Sequence, residues 1–319
     1  MYKEELIELL SKEIQKFKDS GKEINLMVSG GVDSSTLLGI IHHLGITPDR
    51  LISVKLPYGP AHDEFGDMLK VVKHFGYERK LCLIELEEGI FFDQLREAVR
   101  IIGRPIAHYT IWPLYVTFRD LAKEGVTDVI MGNGPDESMG GYTRHMIMVY
   151  LYGAYEKNGF KEYGGMIEKI LNETSLVAYA SIIGKRVSVV QKHWDANDTI
   201  VNNMCRVDMK LMRPDMADMG FSLAKHFGIE IHTPYESPAV DEYMFGLPQN
   251  MKVAGDMGKI LLRIVGSSLG VPNAVIWRKH KIGGPVVPVN TLAGWDDLDP
   301  YDKSGYLKFQ EKVLNEDRE

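Results

Sequence analysis

Apolar and polar residues alternate along the first half of the chain as they do where short strands are connected by helices. Residues 1–17 mix charged and apolar side chains with a helical period, which predicts an amphipathic first helix. Short apolar runs follow, separated by stretches with helical spacing, at residues 23–28, 51–56, 81–86 and 128–131. Strands and helices that alternate in this way predict an α/β fold built on a parallel sheet.

Strand signals fade from about Tyr142 onward. Met, Leu and Tyr recur at helical intervals through residues 201–227, and the charged residues 305–319 are predicted to form a frayed terminal helix. We therefore predict an α/β core at residues 1–145 and a mainly helical part at residues 146–319, which is expected to complete the functional site.

Composition narrows the functional classes. The formal charge of −7 argues against a nucleic-acid partner, because binding a phosphate backbone needs clustered Lys and Arg. A small basic cluster at residues 278–281 suits a nucleotide better than a duplex. The sequence has no run of about 18 apolar residues, so it gives no indication of a membrane segment. Cys82 and Cys205, the only cysteines, give no disulfide framework and no metal-ligand spacing, which favours buried thiols in a cytoplasmic protein.

A first glycine-rich string lies between a predicted strand and a predicted helix. It reads Ser29-Gly30-Gly31-Val32-Asp33-Ser34-Ser35. Backbone N–H groups at such a strand-to-helix turn form an anion cradle, and glycine lets the backbone approach phosphates closely. The string is not the GxxxxGK[ST] P-loop, because it lacks the lysine of that motif. It is predicted to bind the phosphates of a nucleotide.

A second glycine-rich string, residues 132–142, follows the strand at residues 128–131. Open parallel sheets bind ligands at the carboxyl ends of their strands, so both loops are expected to contribute to one site. Asp136 within this string suits a metal ligand, although taken alone it could equally be a turn residue.

Both strings resemble known motifs. The first resembles the PP-loop of the ATP pyrophosphatases, which cleave ATP between the α- and β-phosphates, and the second resembles a loop of the asparagine synthetase and β-lactam synthetase family. Residues 228–235, 259–263 and 277–285 look like the family's GxExRxPF, KxxLR and RxKxGF segments, in the same order. The resemblance covers most of the chain and implies a PP-loop core of the adenine nucleotide alpha hydrolase type.

The resemblance also implies ligands and residue roles. ATP and Mg²⁺ are the expected cofactors, with Asp33 and Asp136 as metal ligands. The residues expected to bind ATP or pyrophosphate are Val28, Ser29, Gly30, Gly31, Asp33, Ser34, Ser35, Val54, Gly132 and Lys281. The expected catalytic residues are Lys281, Asn133, Asp218 and Glu230, and Lys281 would offset charge in the transition state. The expected substrate-binding residues are Arg104, Asn133 and Gly134.

Departures from the family leave the second substrate open. Asn133 stands where asparagine synthetases carry Glu and β-lactam synthetases carry Tyr, and an amide cannot accept a proton from an amine. Either another carboxylate accepts that proton or the nucleophile arrives neutral. Arg104 either recognises an anionic group or is a surface arginine. Asp215 and Asp218 flank the position of a family Asp, and Lys279 stands where the family has Arg.

The family's glutaminase domain uses an amino-terminal cysteine, whereas this chain begins Met1-Tyr2. Nitrogen is therefore expected from free ammonia, a separate glutaminase or an amine on the substrate. The expected partners are a small carboxylate and this nitrogen donor, with a homo-oligomer left open.

The function implied is an ATP-dependent ligase that adenylates a carboxylate and transfers it to ammonia or an amine. One alternative is another PP-loop enzyme that shares only the first loop, such as a tRNA-modifying sulfurtransferase or an NAD or GMP synthetase. The other is a non-catalytic nucleotide-binding protein, which Asn133 favours and the intact Asp33, Asp136 and Lys281 disfavour.

Overall fold

The computed structural model describes residues 1–57, 64–157, 165–279 and 304–316. Within these ranges five parallel strands form a sheet of order β3-β2-β1-β4-β5. The strands are β1 (Asn25–Met27), β2 (Arg50–Lys55), β3 (Leu81–Glu85), β4 (Asp128–Ile130) and β5 (Glu230–His232). Central β1 pairs Met27 with Ile52 of β2 and Leu26 with Ile130 of β4. The predicted α/β fold with a parallel sheet is confirmed.

Helices precede and connect the strands. Up to the end of β4 they are α1 (Tyr2–Asp19), α2 (Val32–His43), α3 (Phe65–His74), α4 (Phe91–Ile102) and α5 (Ile111–Lys123), with 3₁₀ turns at Glu78–Lys80 and Glu88–Ile90. The first helix and the strands β1 to β4 lie where the apolar pattern predicts them. Among the described residues, no helix is both long and apolar enough to cross a bilayer.

The rest of the chain is mostly helical, as predicted. Its helices are α6 (Pro135–Ser138), α7 (Thr143–Lys157), α8 (Gly165–Ile182), α9 (Val187–Val190), α10 (Ile200–Val207), α11 (Arg213–His226), α12 (Pro238–Gly246), α13 (Gln249–Lys252), α14 (Ile260–Ser268), α15 (Asn273–Ile276) and α16 (Ser304–Glu316). A π-helical segment, Asp208–Met212, joins α10 to α11, and 3₁₀ turns lie at Gln191–His193 and Pro234–Glu236. The antiparallel pair β6 (Val253–Ala254) and β7 (Met257–Gly258) precedes α14.

The chain forms two compact units, each assembled from three segments. The sheet unit contains Ile14–Met131, Met216–His232 and Leu269–Glu319, and the helical unit contains Met1–Glu13, Gly132–Asp215 and Thr233–Ser268. Residue 145, the predicted end of the α/β core, lies within the helical unit. β5 was not predicted as a strand, because three residues in a largely helical context give too short a pattern to recognise.

An apolar core holds the sheet unit together. Ile52 and Val129 on the strands are fully buried, as are Phe91 and Trp112 on α4 and α5. The Phe91 and Trp112 rings meet edge to face with their centroids 4.8 Å apart. Burial of each such side chain stabilises the fold by roughly 1.5–3 kcal/mol. This core supports the strand ends from which the first glycine-rich loop extends.

The helical unit combines an apolar core with a buried polar network. Met148, Val201 and Met204 are buried in the core. At its edge, the fully buried Asp208 accepts a hydrogen bond from the Tyr179 hydroxyl at 2.7 Å, forms an ion pair with Arg144 and is hydrogen-bonded to His145 Nε2 at 2.9 Å. Burial of a carboxylate is costly unless it is paired and hydrogen-bonded, and these three partners meet that need.

Candidate functional site

The first glycine-rich loop lies between the carboxyl end of β1 and the first turn of α2, within the sheet unit. The Ser29 N–H donates to Ser34 Oγ at 3.1 Å, and the two hydroxyl oxygens are 3.2 Å apart. The Gly31 N–H donates to Ser29 Oγ at 3.2 Å. These contacts hold the loop at the amino end of a 12-residue helix, where backbone N–H groups and the helix dipole favour an anion.

Glycine is needed in this loop because α3 packs against it. Gly30 has a φ of +82°, and a Cβ atom there would lie 2.5 Å from the backbone nitrogen of Met68. A Cβ atom on Gly31 would lie 3.3 Å from Glu64 Oε2. A side chain at Gly30 would therefore force the loop and the first turn of α3 apart.

Glu64 brings a buried carboxylate close to this anion-binding loop. Its side chain is 3% exposed, and Arg278 forms ion pairs with both Glu64 and Asp67. Burial acts to raise the pKa of Asp67, but hydrogen bonds from Lys70 and Arg278 hold that pKa below its usual value. The Arg278 guanidinium thus offsets negative charge that would otherwise repel a phosphate group.

The remaining predicted ligand-binding residues of the sheet unit surround the same loop or extend the strands beside it. The buried Val28 donates its N–H to Ile52 O at 2.8 Å. Ser35 is fully buried, and its hydroxyl has no hydrogen-bond partner among the described residues. Asp33 is half-buried in the first turn of α2, and Val54 is half-buried near the end of β2. A buried hydroxyl without a partner is costly, so Ser35 fits a ligand oxygen.

The second glycine-rich loop belongs to the helical unit and surrounds the short helix α6. A Cβ atom on Gly141 would lie 2.1 Å from both Asp136 Oδ1 and Lys259 Cε, and a Cβ atom on Gly140 would lie 2.5 Å from Val253 Cγ2. The absence of side chains at Gly140 and Gly141 therefore leaves room for Val253 and Lys259, which are distant in sequence.

Asp136 and Lys259 form the charged centre of this loop. Lys259 Nζ lies 2.7 Å from Asp136 Oδ1, and the two side chains are 4% and 18% exposed. Lys259 has a φ of +58°, a conformation that is unfavourable outside glycine and is often found at functional positions. The Asp136 carboxylate therefore already has a cation at contact distance, so a Mg²⁺ ion bound to Asp136 would share this carboxylate with Lys259 or displace its ammonium group.

Glu137 is buried beside Asp136. Burial raises the pKa of Glu137 to about 7, the charge of Asp136 acts in the same direction, and a hydrogen bond from the Tyr142 hydroxyl opposes them. Arg144 lies over the Tyr142 ring, 3.8 Å from its centroid. Because Arg144 also forms an ion pair with the buried Asp208, it connects this end of the loop to the Asp208 side chain and its partners.

Arg213 fixes the start of the second loop. It is the first residue of α11, directly after the π-helical segment, and donates to Gly134 O at 3.2 Å. The same guanidinium makes two hydrogen bonds to Asp241, at 2.8 and 3.0 Å. Asn133, the neighbour of Gly134, is exposed, and Gly132 is half-buried. Asn133 is therefore presented to solvent from a rigidly held backbone.

Comparison with known proteins decides among the PP-loop families. The sequence model of the asparagine synthase family matches residues 5–303. The chain belongs to the asparagine synthase family. Membership supports an ATP-dependent synthetase at the level of the family. The match extends far beyond the first loop. The alternative PP-loop enzymes were expected to share only that loop.

A curated member of the asparagine synthase family matches part of the chain. It is the "Putative asparagine synthetase (glutamine-hydrolyzing) 2" of Methanocaldococcus jannaschii, 27% identical over 123 residues. The match covers 39% of this chain and 23% of the relative. The chain thus spans about a quarter of the relative's length, and the relative's activity is not carried over from this match.

Two residues predicted from the asparagine synthase family resemblance meet each other in the sheet unit. Arg104 donates to Asp218 Oδ2 at 3.0 Å, and the side chains are 40% and 59% exposed. Arg104 follows Gly103, which ends α4 with a φ of +75°, and Asp218 lies on α11. Because Arg104 already has a carboxylate partner, an anionic substrate would share the guanidinium with Asp218 or displace it. Asp215, the other candidate for the family Asp, is exposed in the first turn of α11.

Glu230 lies away from the first loop. It is the first residue of β5, with a side chain that is 65% exposed and an ion pair to Lys22 at 2.7 Å. Lys22 also contacts Asp128, the first residue of β4. The first loop follows the carboxyl end of β1, whereas parallel strands place Glu230 at the opposite edge of the sheet. The catalytic role that the resemblance implies for Glu230 is not supported by this position, and we assign it none.

Lys281 and the rest of residues 280–303 lie outside the described residues, so the transition-state role predicted for Lys281 stays a prediction. Sequence reasoning missed Glu64, Arg213, Glu236 and Lys259. Lys259 begins the KxxLR segment, so the family pattern offered a signal for it. Arg213 and Glu236 carry no local signal, because only the fold brings them to Gly134.

Proposed function

We propose that this chain is a ligase that adenylates a carboxylate with ATP, releases pyrophosphate and transfers the acyl group to ammonia or an amine. Membership of the asparagine synthase family supports the general class. The observation that carries the finer proposal is the first loop, where Ser29, Ser34 and Ser35 line the amino end of α2 without a P-loop lysine. Such a cradle suits a leaving pyrophosphate, which must be held as negative charge develops on it.

Charge in the first loop favours a metal-bound nucleotide. Asp33 lies in the first turn of α2, where its carboxylate would repel phosphate oxygens unless a cation lay between them. We assign Asp33 and Asp136 as Mg²⁺ ligands, since hard carboxylate oxygens are suited to this ion. When bound, Mg²⁺ would neutralise phosphate charge and favour departure of pyrophosphate.

In the proposed first step a substrate carboxylate oxygen attacks the α-phosphorus of ATP. The bond between the α-phosphorus and the bridging oxygen breaks, and that electron pair leaves with pyrophosphate. The Ser29 to Ser35 loop would hold the leaving group, and Lys281 would stabilise the charge of the transition state.

In the second step the nitrogen nucleophile attacks the acyl carbon, and the carbon–oxygen bond to AMP breaks. The product is an amide. The step also releases a proton, which the Asn133 amide cannot accept.

Pyrophosphate exchange and analysis of the nucleotide product test this proposal. The chain, Mg²⁺ and ATP are incubated with L-aspartate or with other small carboxylic acids, and exchange of labelled pyrophosphate into ATP is measured. Exchange that depends on both the acid and Mg²⁺ is expected, with AMP as the nucleotide product when ammonia is present. Acid-dependent formation of ADP and phosphate would contradict adenylation.

A further inference from the structure

The second step of the proposed reaction needs a proton acceptor near Asn133. When ammonia or an amine attacks the acyl carbon, its nitrogen becomes positively charged, and one of its protons must be removed before the intermediate collapses to the amide. A positioned general base typically contributes ~10²–10⁴ in rate. Asn133 is exposed at the expected position but has no basic atom.

We propose that Glu236 is the catalytic base that accepts this proton. The inference rests on the proposed function and assigns a residue to its second step. Glu236 ends the 3₁₀ turn Pro234–Glu236 in the helical unit, more than 100 positions after Asn133 in sequence.

The backbone of the second loop has a gap that the Glu236 side chain fills. Gly134 has a φ of +111°, and a Cβ atom there would lie 2.9 Å from Glu236 Cγ and 3.7 Å from Glu236 Cδ. The Glu236 carboxyl group therefore packs directly over the residue that follows Asn133. A larger residue at Gly134 would push this carboxyl group away from the loop.

Arg213 is bound more closely by another carboxylate than by Glu236. Arg213 makes two short hydrogen bonds to Asp241, whereas its Nε lies 3.5 Å from Glu236 Oε1. Asp241 thus holds the Arg213 guanidinium through two hydrogen bonds, whereas Glu236 lies at the longer distance. Asp241 alone is enough to hold Arg213 in place. The Glu236 carboxylate is therefore the one better suited to contact a cationic or proton-donating group.

Solvent access is compatible with a base. The Glu236 side chain is 15% exposed, which lets a small amine reach it and still shields it from bulk water. In the proposed step the amine nitrogen forms its bond to the acyl carbon, the carbon–oxygen bond to AMP breaks, and one nitrogen proton passes to the Glu236 carboxylate. The protonated carboxyl group then releases this proton to solvent.

The test compares Glu236→Gln with the wild-type chain and with Glu242→Gln. Glutamine keeps the shape of the side chain over Gly134, and Arg213 keeps its two hydrogen bonds to Asp241, so the fold should be retained. Glu242 is an exposed carboxylate on α12 of the same unit and serves as the matched control. Three rates are measured with an acid that supports exchange in the wild type: pyrophosphate exchange, amide formation from ammonia, and hydroxamate formation from hydroxylamine, which is largely unprotonated at neutral pH.

We expect Glu236→Gln to keep pyrophosphate exchange within a few fold and to lose ~10²–10⁴ in amide formation from ammonia. Hydroxamate formation should fall much less, because the nitrogen of the hydroxylamine adduct is more acidic than that of the ammonia adduct and loses its proton to water without a positioned base. Equal losses with both nucleophiles, loss of exchange, or unchanged amide formation would each overturn the role of Glu236. If the wild-type chain shows no exchange with any acid, the proposed function itself fails and the assignment of Glu236 fails with it.

Discussion

The two glycine-rich loops are held in place by different kinds of contact. In the sheet unit, the serines of the first loop bond to one another and to the backbone within seven residues of sequence. In the helical unit, the second loop depends on Arg213, Glu236, Val253 and Lys259, all of which are distant in sequence. The side-chain bonds of the first loop are therefore local, although α3 also packs against Gly30, whereas the second loop forms only when the helical unit has folded around it.

This difference predicts where substitutions act. Replacing an existing side chain of the first loop should affect activity with little effect on stability, whereas replacing a side chain in or behind the second loop should affect both. The following predictions test that contrast and the proposed chemistry, in order of decreasing expected effect.

Asp208→Asn should destabilise the protein by about 3–5 kcal/mol, because it removes the carboxylate from a buried ion pair and leaves Arg144 without that partner. The free energy of unfolding from urea titration measures the effect. Asp218→Asn is the control, since its exposed pair with Arg104 should contribute no more than about 1 kcal/mol.

The same loss should depend on pH in a defined direction. Burial acts to raise the pKa of Asp208, but the hydrogen bond from His145 and the charges of His145 and Arg144 hold that pKa below its usual value. A carboxyl group with a lowered folded-state pKa stabilises the protein above its unfolded pKa of about 3.9 and loses that contribution as pH falls through the folded-state pKa. The gap between wild type and Asp208→Asn should therefore shrink only below about pH 4. A gap that shrinks between neutral pH and pH 5 would contradict this account.

Lys281→Ala should bind ATP within a few fold of wild type and lose ~10²–10³ in turnover, about 2.7–4 kcal/mol, because its contact strengthens in the transition state. Lys279→Ala should have a milder effect. Calorimetric titration with ATP and a pyrophosphate assay separate binding from rate. If ATP affinity falls in proportion to rate, or if Lys279→Ala is the inactive variant, the assignment of Lys281 is wrong.

Asp33→Asn and Asp136→Asn should both weaken Mg²⁺-dependent exchange, but only the second should also destabilise the protein, by about 3 kcal/mol. Asp136→Asn removes a carboxylate 2.7 Å from the buried Lys259 ammonium, whereas Asp33 is half-buried at a helix terminus. Unfolding in the presence of a chelator measures the stability difference without metal binding. Equal stabilities of the two variants would remove the contrast between the loops.

Gly141→Ala and Gly30→Ala should each destabilise the protein by about 1–3 kcal/mol through overpacking. The new methyl group would lie 2.1 Å from Asp136 Oδ1 in the first case and 2.5 Å from the Met68 backbone nitrogen in the second. Gly21→Ala isolates backbone strain, because Gly21 has a φ of +78° and a Cβ atom there would meet no atom of the described residues within 4 Å. A loss at Gly141 no larger than at Gly21 would show that the second loop can relax.

Glutamine hydrolysis by this chain should be undetectable, because neither thiol is activated. Burial raises the pKa of Cys82 and raises that of Cys205 to about 12, so both remain protonated at neutral pH. Glutamate release from glutamine is the measurement. Release that is abolished by Cys82→Ala would overturn this prediction.

Sequence reasoning recovers what is encoded locally. The strands β1 to β4, the first helix and the first loop all follow from apolar periods and from a seven-residue string. Glu230 shows the limit of motif transfer, since its position in a resembling segment does not reveal that β5 places it at the far edge of the sheet. Arg213 and Glu236 show the limit of pattern reading, because their closeness to Gly134 depends on tertiary packing and leaves no period or spacing in the sequence.

The central claim, adenylation of a carboxylate, is tested most directly by following an oxygen atom. An acid that supports pyrophosphate exchange is labelled with heavy oxygen in its carboxylate and incubated with the chain, ATP, Mg²⁺ and ammonia, and the nucleotide product is analysed by mass spectrometry. Adenylation predicts AMP that carries one labelled oxygen from the acid, together with unlabelled pyrophosphate. Unlabelled AMP, or label recovered in inorganic phosphate beside ADP, would contradict the account.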